Sequence, residues 1–107
     1  MGTQPIVSVL ELHVLPGSAP AVARAYDELG VFERARESGG FRSGRLLEPA
    51  EPGRPMLVIG EWDDAASYEL WLANPVRAEL GGRLEPMLAD EPAAGGIFYE
   101  TARGEPT

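Results

Sequence analysis

Apolar residues recur along this chain at every second position in some stretches and at every third or fourth in others, and the switches between the two rhythms mark its elements. Ile6 to Leu15 reads as a strand ended by Pro16-Gly17. Ser8, Leu10, Leu12 and Val14 share one face of it. Val7, Val9, Glu11, His13 and Leu15 share the other, so both faces are expected to be covered. Ser18, with Pro20 in the first turn, predicts a helix through about Ser38 whose buried stripe is Val22, Tyr26, Leu29 and Phe32. Gly30 costs this helix about 1 kcal/mol relative to alanine and is a point of bending. Gly39-Gly40 stops it. Phe41 to Leu47 is the second strand, Glu48 to Pro55 a proline-rich hairpin loop, and Met56 to Trp62 the third and most apolar strand, which makes it a central one. Asp63 or Asp64 caps a helix to about Ala73, Asn74-Pro75 interrupts it, and a further helical piece runs from Val76 to about Leu88 with Gly81-Gly82 as a weak point. Asp90 to Gly96 reads as a turn and Ile97 to Thr101 as the last strand. Residues 1–5 and 102–107 are expected to be flexible.

Strand, helix, strand, strand, helix, strand is the split βαβ order of an α+β, ferredoxin-like domain, an antiparallel sheet with its helices on one face. The 107 residues make a single domain, 1–107. Helices on one side leave the other side of the sheet bare, with Val7, Val9 and Leu15 on it. An apolar face of that kind predicts a homodimer in which two sheets pack face to face.

Composition narrows the chemistry. Seventeen acidic residues against nine basic ones, all arginine, give a net charge of −8, which argues against nucleic acid and membrane surfaces as partners. The absence of cysteine removes disulfides and thiolate chemistry, and the absence of lysine removes Schiff bases. No apolar run is long enough to span a bilayer and the N-terminus lacks a signal-peptide pattern, so a cytoplasmic location is expected. No nucleotide loop or metal-ligand spacing is visible, and no haem, flavin or metal cofactor is expected.

What stands out is Glu61 to Pro75, where both tryptophans and one of the three tyrosines gather at a strand-to-helix corner. Large rings with a polar handle suit a cavity for a flat, partly polar ligand. The expected lining is Leu10, Leu12, Tyr26, Leu46, Val58, Trp62, Tyr68 and Trp71, with Arg45 or Arg83 supplying charge. His13, the only histidine, shares a strand face with Glu11 and is assigned to the bare face rather than to a base or metal site. Asp63 and Asp64 are read as helix caps, and Glu33, Arg34, Arg36 and Glu37 as a solvated helix face.

With Leu15-Pro16-Gly17, Gly40-Phe41, Glu61-Trp62-Asp63-Asp64 and Ala73-Asn74-Pro75 in place, nearly the whole chain resembles the antibiotic-biosynthesis monooxygenase family of dimeric α+β barrels. The resemblance implies oxidation of an aromatic polyketide-like phenol to a quinone by molecular oxygen without a cofactor. In the family's quinone-forming members an Asn and a Trp stand four residues apart on the third strand. A Tyr follows six residues later, with another Tyr on the second strand and an Arg on the last helix. Trp62 and Tyr68 match this pattern and are the implied catalytic residues. The other positions fall on Val58, Leu46 and Gly81, with Arg83 two residues beyond. In haem-degrading relatives an Asn, a Trp and an axial His fall on Leu10, Trp71 and Gly81, so only the Trp is present. The departures leave two alternatives open, a polyketide cyclase or isomerase working without oxygen in the same pocket, and a small-molecule binder without catalysis.

Overall fold

The computed structural model describes residues 4–100. Four strands, β1 (Ile6–Leu12), β2 (Phe41–Leu47), β3 (Met56–Trp62) and β4 (Ala93–Tyr99), form one antiparallel sheet in the order β2-β3-β1-β4. Between β1 and β2 come α1 (Ala19–Leu29) and α2 (Val31–Ser38); between β3 and β4 come α3 (Ala65–Ala73), α4 (Pro75–Leu84) and a 3₁₀ turn, Glu85–Met87. The helices cover one face of the sheet. The result is the expected α+β, ferredoxin-like arrangement, with the apolar β3 central.

Ile6, Leu12 and Val22 are fully buried between sheet and helices, each burial worth about 1.5–3 kcal/mol. Around them pack Val31, Ala35, Phe41, Met56, Trp62, Trp71, Leu80 and Leu84. Registers fix which side chains share the helix-covered face. Gly44, Gly60 and Ser8 line up across β2, β3 and β1, as do Phe41, Trp62 and Ile6 in the next row. Val7, Val9, Leu57, Ile59 and Phe98 lie on the opposite face, which none of the described helices covers.

Several elements differ from the sequence expectation. The long first helix is two helices, because Gly30 adopts φ +60° and ψ +44°, ending α1 and starting α2 in the left-handed region that only glycine enters cheaply. Ser18 stands at the N-cap position, but its side chain makes no capping bond. Asp64 does cap, its Oδ1 accepting from the Ser67 backbone N–H and hydroxyl at 2.8 Å each, and these bonds hold its carboxyl below the usual value of 3.8. Asp63 instead accepts from Arg42 Nε at 2.6 Å, an exposed pair worth about 1 kcal/mol at most. Asn74 Oδ1 accepts from Val76 N–H at 3.0 Å, and Pro75 opens α4 at its first turn, so the interruption between α3 and α4 is itself a helix start.

β4 begins at Ala93, inside the segment expected to be a turn. Its backbone pairs with β1 despite low strand propensity, and a register shift opposite Val9 and Leu10 absorbs Gly95. β1 ends at Leu12, after which His13 and Leu15 still exchange backbone bonds with Ala89 and Met87. Thr101, and residues 1–3 and 102–107 of the tails expected to be flexible, lie outside the described residues.

Candidate active site

Between the sheet and all four helices lies a cavity of about 140 Å³. A cavity of this size encloses about one aromatic ring, and the remainder of a fused skeleton would extend through its open mouth. On the sheet side its floor includes Ser8 and Gly60, with Gly44 next in the row beneath the Phe32 and Phe41 rings of the wall. A methyl at Gly60 would lie 2.8 Å from Trp62 Nε1 and 2.9 Å from Ser8 Oγ, so the missing side chain is what lets the Trp62 indole reach across β3. A methyl at Gly44 would strike the Phe32 ring, which rests on the bare backbone there, and would lie 2.8 Å from Phe41 Cζ.

Trp62 is 2 % exposed, and its indole N–H donates to Ser8 Oγ at 3.0 Å. Ser8 Oγ in turn lies 3.5 Å from Gly60 O. The donor of Trp62 is thus taken up within the protein, and the ring presents its apolar surface. Five rings follow one another along the wall. Tyr26 to Phe32 is 5.6 Å between centroids, Phe32 to Phe41 6.0 Å and nearly parallel, Phe41 to Trp62 4.9 Å edge-on, and Trp62 to Tyr68 5.4 Å. Arg36 caps the Phe41 ring at 5.5 Å from outside, so it is not purely part of a solvated face.

Of the residues expected at the site, Leu10, Leu12, Tyr26, Val58, Trp62, Tyr68 and Trp71 all line this cavity. Leu46 does not. It borders a second, more open hollow with Asp27, Gly30 and Glu33, and Tyr26 and Phe32 form part of the wall of both. Arg83 and Arg45 do not line it either. The α4 residues facing the cavity are Arg77, Leu80, Gly81 and Leu84, the i, i+3, i+4, i+7 stripe of one helical face, and Arg83 stands exposed off that stripe. Arg45 pairs with Ile59 on the uncovered face of the sheet.

Among the lining residues that sequence reasoning passed over are Ser8, Phe32, Phe41, Gly60 and Arg77. Three of them left a signal: a serine on an otherwise apolar strand face, a glycine inside the strand Met56–Trp62, and an arginine in phase with Leu80 and Leu84.

The polar groups are few. Burial pushes the Tyr26 phenol up to about 12, the positive charge of Arg77 working against that rise. Neither Tyr26 nor Tyr68 has a hydrogen-bond partner for its hydroxyl among the described residues. His13 is outside the cavity, its Nε2 3.6 Å from Glu11 Oε1. Among the described residues no group of three or more His, Asp or Glu side chains could hold a metal ion. Haem finds no imidazole in this cavity, since Gly81 occupies the α4 position facing it. No described helix is long and apolar enough to cross a membrane.

A cavity walled by aromatic rings, between four helices and a sheet ordered β2-β3-β1-β4, defines a small α+β domain with an internal pocket. The sequence model of the antibiotic biosynthesis monooxygenase family matches residues 5–92, and the chain belongs to that family. No protein of curated function matches it by sequence.

Solved structures with the same fold include a monooxygenase from the gene ActVA-Orf6 of Streptomyces coelicolor in complex with nanaomycin D, 24% identical with a TM-score of 0.80 over 97% of this chain and 94% of that one. SnoaB, a cofactor-independent oxygenase from Streptomyces nogalater, is 22% identical with a TM-score of 0.69 over 96% and 97%. The haem-degrading protein Rv3592 from Mycobacterium tuberculosis is 16% identical with a TM-score of 0.70 over 98% and 100%. At these identities the likeness carries the fold and nothing finer.

Proposed function

We propose that the protein is a cofactor-independent monooxygenase that oxidises an aromatic, polyketide-like phenol to a quinone in the biosynthesis of an antibiotic or other secondary metabolite. The observation that carries this reading is the apolar cavity in which Trp62 and Tyr68 stand 5.4 Å apart, one offering a flat ring and the other a hydroxyl with no partner among the described residues. For an anthrone the reaction balances as one CH2 carbon and one O2 giving one ring carbonyl and one water. Loss of a proton from the electron-rich ring system lets the substrate itself reduce oxygen. The protein then has to bind, desolvate and orient the substrate and handle that proton.

In this reading Trp62, fixed by Ser8, stacks on the substrate, and Tyr68 holds or relays the proton at the oxygen of the reacting ring. Leu10, Leu12, Val58 and Trp71 enclose the substrate and exclude water. The uncovered sheet face, with Val7, Val9, Leu57, Ile59 and Phe98, supports a homodimer as part of the proposal, and a cytoplasmic location completes it.

Apolar Val58 stands where a polar side chain would steady an enolate, which favours one second reading, a cyclase that tautomerises or folds its substrate without oxygen. An oxygen electrode separates the two. With an anthrone and no added cofactor, the oxygenase takes up one O2 per quinone formed above autoxidation, and Tyr68→Phe lowers turnover at least tenfold. Conversion without oxygen uptake would replace this reading with the cyclase, and an unchanged Tyr68→Phe rate would remove Tyr68 from the chemistry.

A further inference from the structure

Arg77 is the one charged residue in the cavity wall as described. It is half-buried, and among the described residues it has no carboxylate within ion-pair distance, although the chain carries seventeen acidic residues. It brings a positive charge to an otherwise apolar wall, and no acidic side chain among the described residues offsets it. The neighbouring Tyr26 does not neutralise it, because its phenol stays protonated through the physiological range. What Tyr26 offers instead is a hydroxyl with no partner among the described residues, on α1, which packs against α4.

We infer that Arg77 and Tyr26 form a subsite for a single carboxylate carried on the aromatic ligand. The guanidinium fork would bind the two carboxylate oxygens, and the Tyr26 hydroxyl would donate a further bond. A guanidinium matches a planar carboxylate in geometry, and one cation matches one negative charge, which sets a monoanionic acid ahead of a phosphate dianion. Gly81, one turn further along the same face of α4, has nothing within 4 Å of where its Cβ would be, so a ligand arm meets no side chain there. The wall rings run in the order Tyr26, Phe32, Phe41, Trp62, Tyr68, so the subsite stands at one end of the series and Trp62 and Tyr68 at the other. The acid arm thereby decides which ring of a fused substrate meets Tyr68. Arg77 is a specificity-determining residue, and Arg83, exposed on another face of α4, is not.

The inference rests on the cavity taking aromatic ligands, and it is tested by binding rather than turnover. Quenching of Trp62 and Trp71 emission is titrated with anthraquinone-2-carboxylate and with its uncharged amide. The wild type binds the carboxylate at least tenfold more tightly than the amide. Arg77→Gln, with its fold checked by circular dichroism, loses that preference while keeping amide affinity. Arg77→Lys recovers part of the preference, and Arg83→Gln behaves as the wild type. Equal affinity of the wild type for the two probes, or a preference that survives Arg77→Gln, would overturn the inference and leave the oxygenase reading standing. If neither probe bound, the aromatic-ligand reading and the subsite would both fall.

Discussion

The bond from Trp62 Nε1 to Ser8 Oγ joins the two central strands beneath the cavity, and its removal can be worked through. In Ser8→Ala the indole N–H of a residue 2 % exposed loses its acceptor. An orphaned buried donor costs about 1–3 kcal/mol, and water entering from the adjoining cavity recovers part of that, leaving about 1–2 kcal/mol. With an m-value of about 2 kcal/mol/M, the urea midpoint falls by about 0.5–1 M at unchanged slope. The lost hydroxyl also touches Gly60 O at 3.5 Å, a contact too long to add much. Trp62→Phe removes the donor and part of the ring, so its own cost is larger and mixed in origin. The informative quantity is the coupling in the double-mutant cycle, read by far-ultraviolet circular dichroism so that loss of a tryptophan does not disturb the signal. Ser8→Ala on the Trp62→Phe background is expected to be neutral to within about 0.5 kcal/mol, giving a coupling of about 1 kcal/mol or more. A coupling below about 0.3 kcal/mol, the level of simple additivity, would refute the claim that this bond fixes the indole.

Two further outcomes follow from the same wall and floor. A spectrophotometric titration of tyrosinate is expected to show one component near pH 12 that disappears in Tyr26→Phe. The phenol ionises near 10.0 when unfolded and near 12 when folded, so its stabilising contribution is complete below pH 10.0 and is lost as pH rises through 12. Gly44→Ala places a methyl against Phe32 and Phe41 and is expected to destabilise by about 1–3 kcal/mol. Gly81→Ala, with nothing within 4 Å of its Cβ in the interior of α4, should instead gain about 0.5–1 kcal/mol. Equal urea midpoints for these two variants would contradict the packing described for the floor.

Much of the architecture was legible because each strand carries its own punctuation. β2 and β3 have the limits read from Gly39-Gly40, the proline-rich loop and the aspartates after Trp62. β4 was legible only at its end, since Ala93 to Gly96 pairs through backbone bonds that β1 supplies, not through side chains with strand preference. At the site, the aromatic corner and the inward face of β1 could be read from local periodicity. Leu46 and Arg83 could not be placed. Phe32 and Tyr26 belong to the walls of both hollows, and that arrangement depends on how α2 turns after Gly30. Arg77 was missed because the family pattern drew attention to Gly81 and its neighbours, whereas the phase of Leu80 and Leu84 pointed one turn earlier.

The floor row has an asymmetric consequence for how this pocket can change. Gly44 and Gly60 are already as small as a residue can be, and Ser8 is only a hydroxymethyl larger than glycine. Any substitution at Gly60 makes the cavity shallower there, and none can deepen it at that point. Room for larger ligands must therefore come from the rest of the lining, by shortening side chains such as Leu10 and Val58 on the strands or those on α2 and α4. The Gly60–Ser8 pair sets a fixed depth datum from which the rest of the lining measures the ligand.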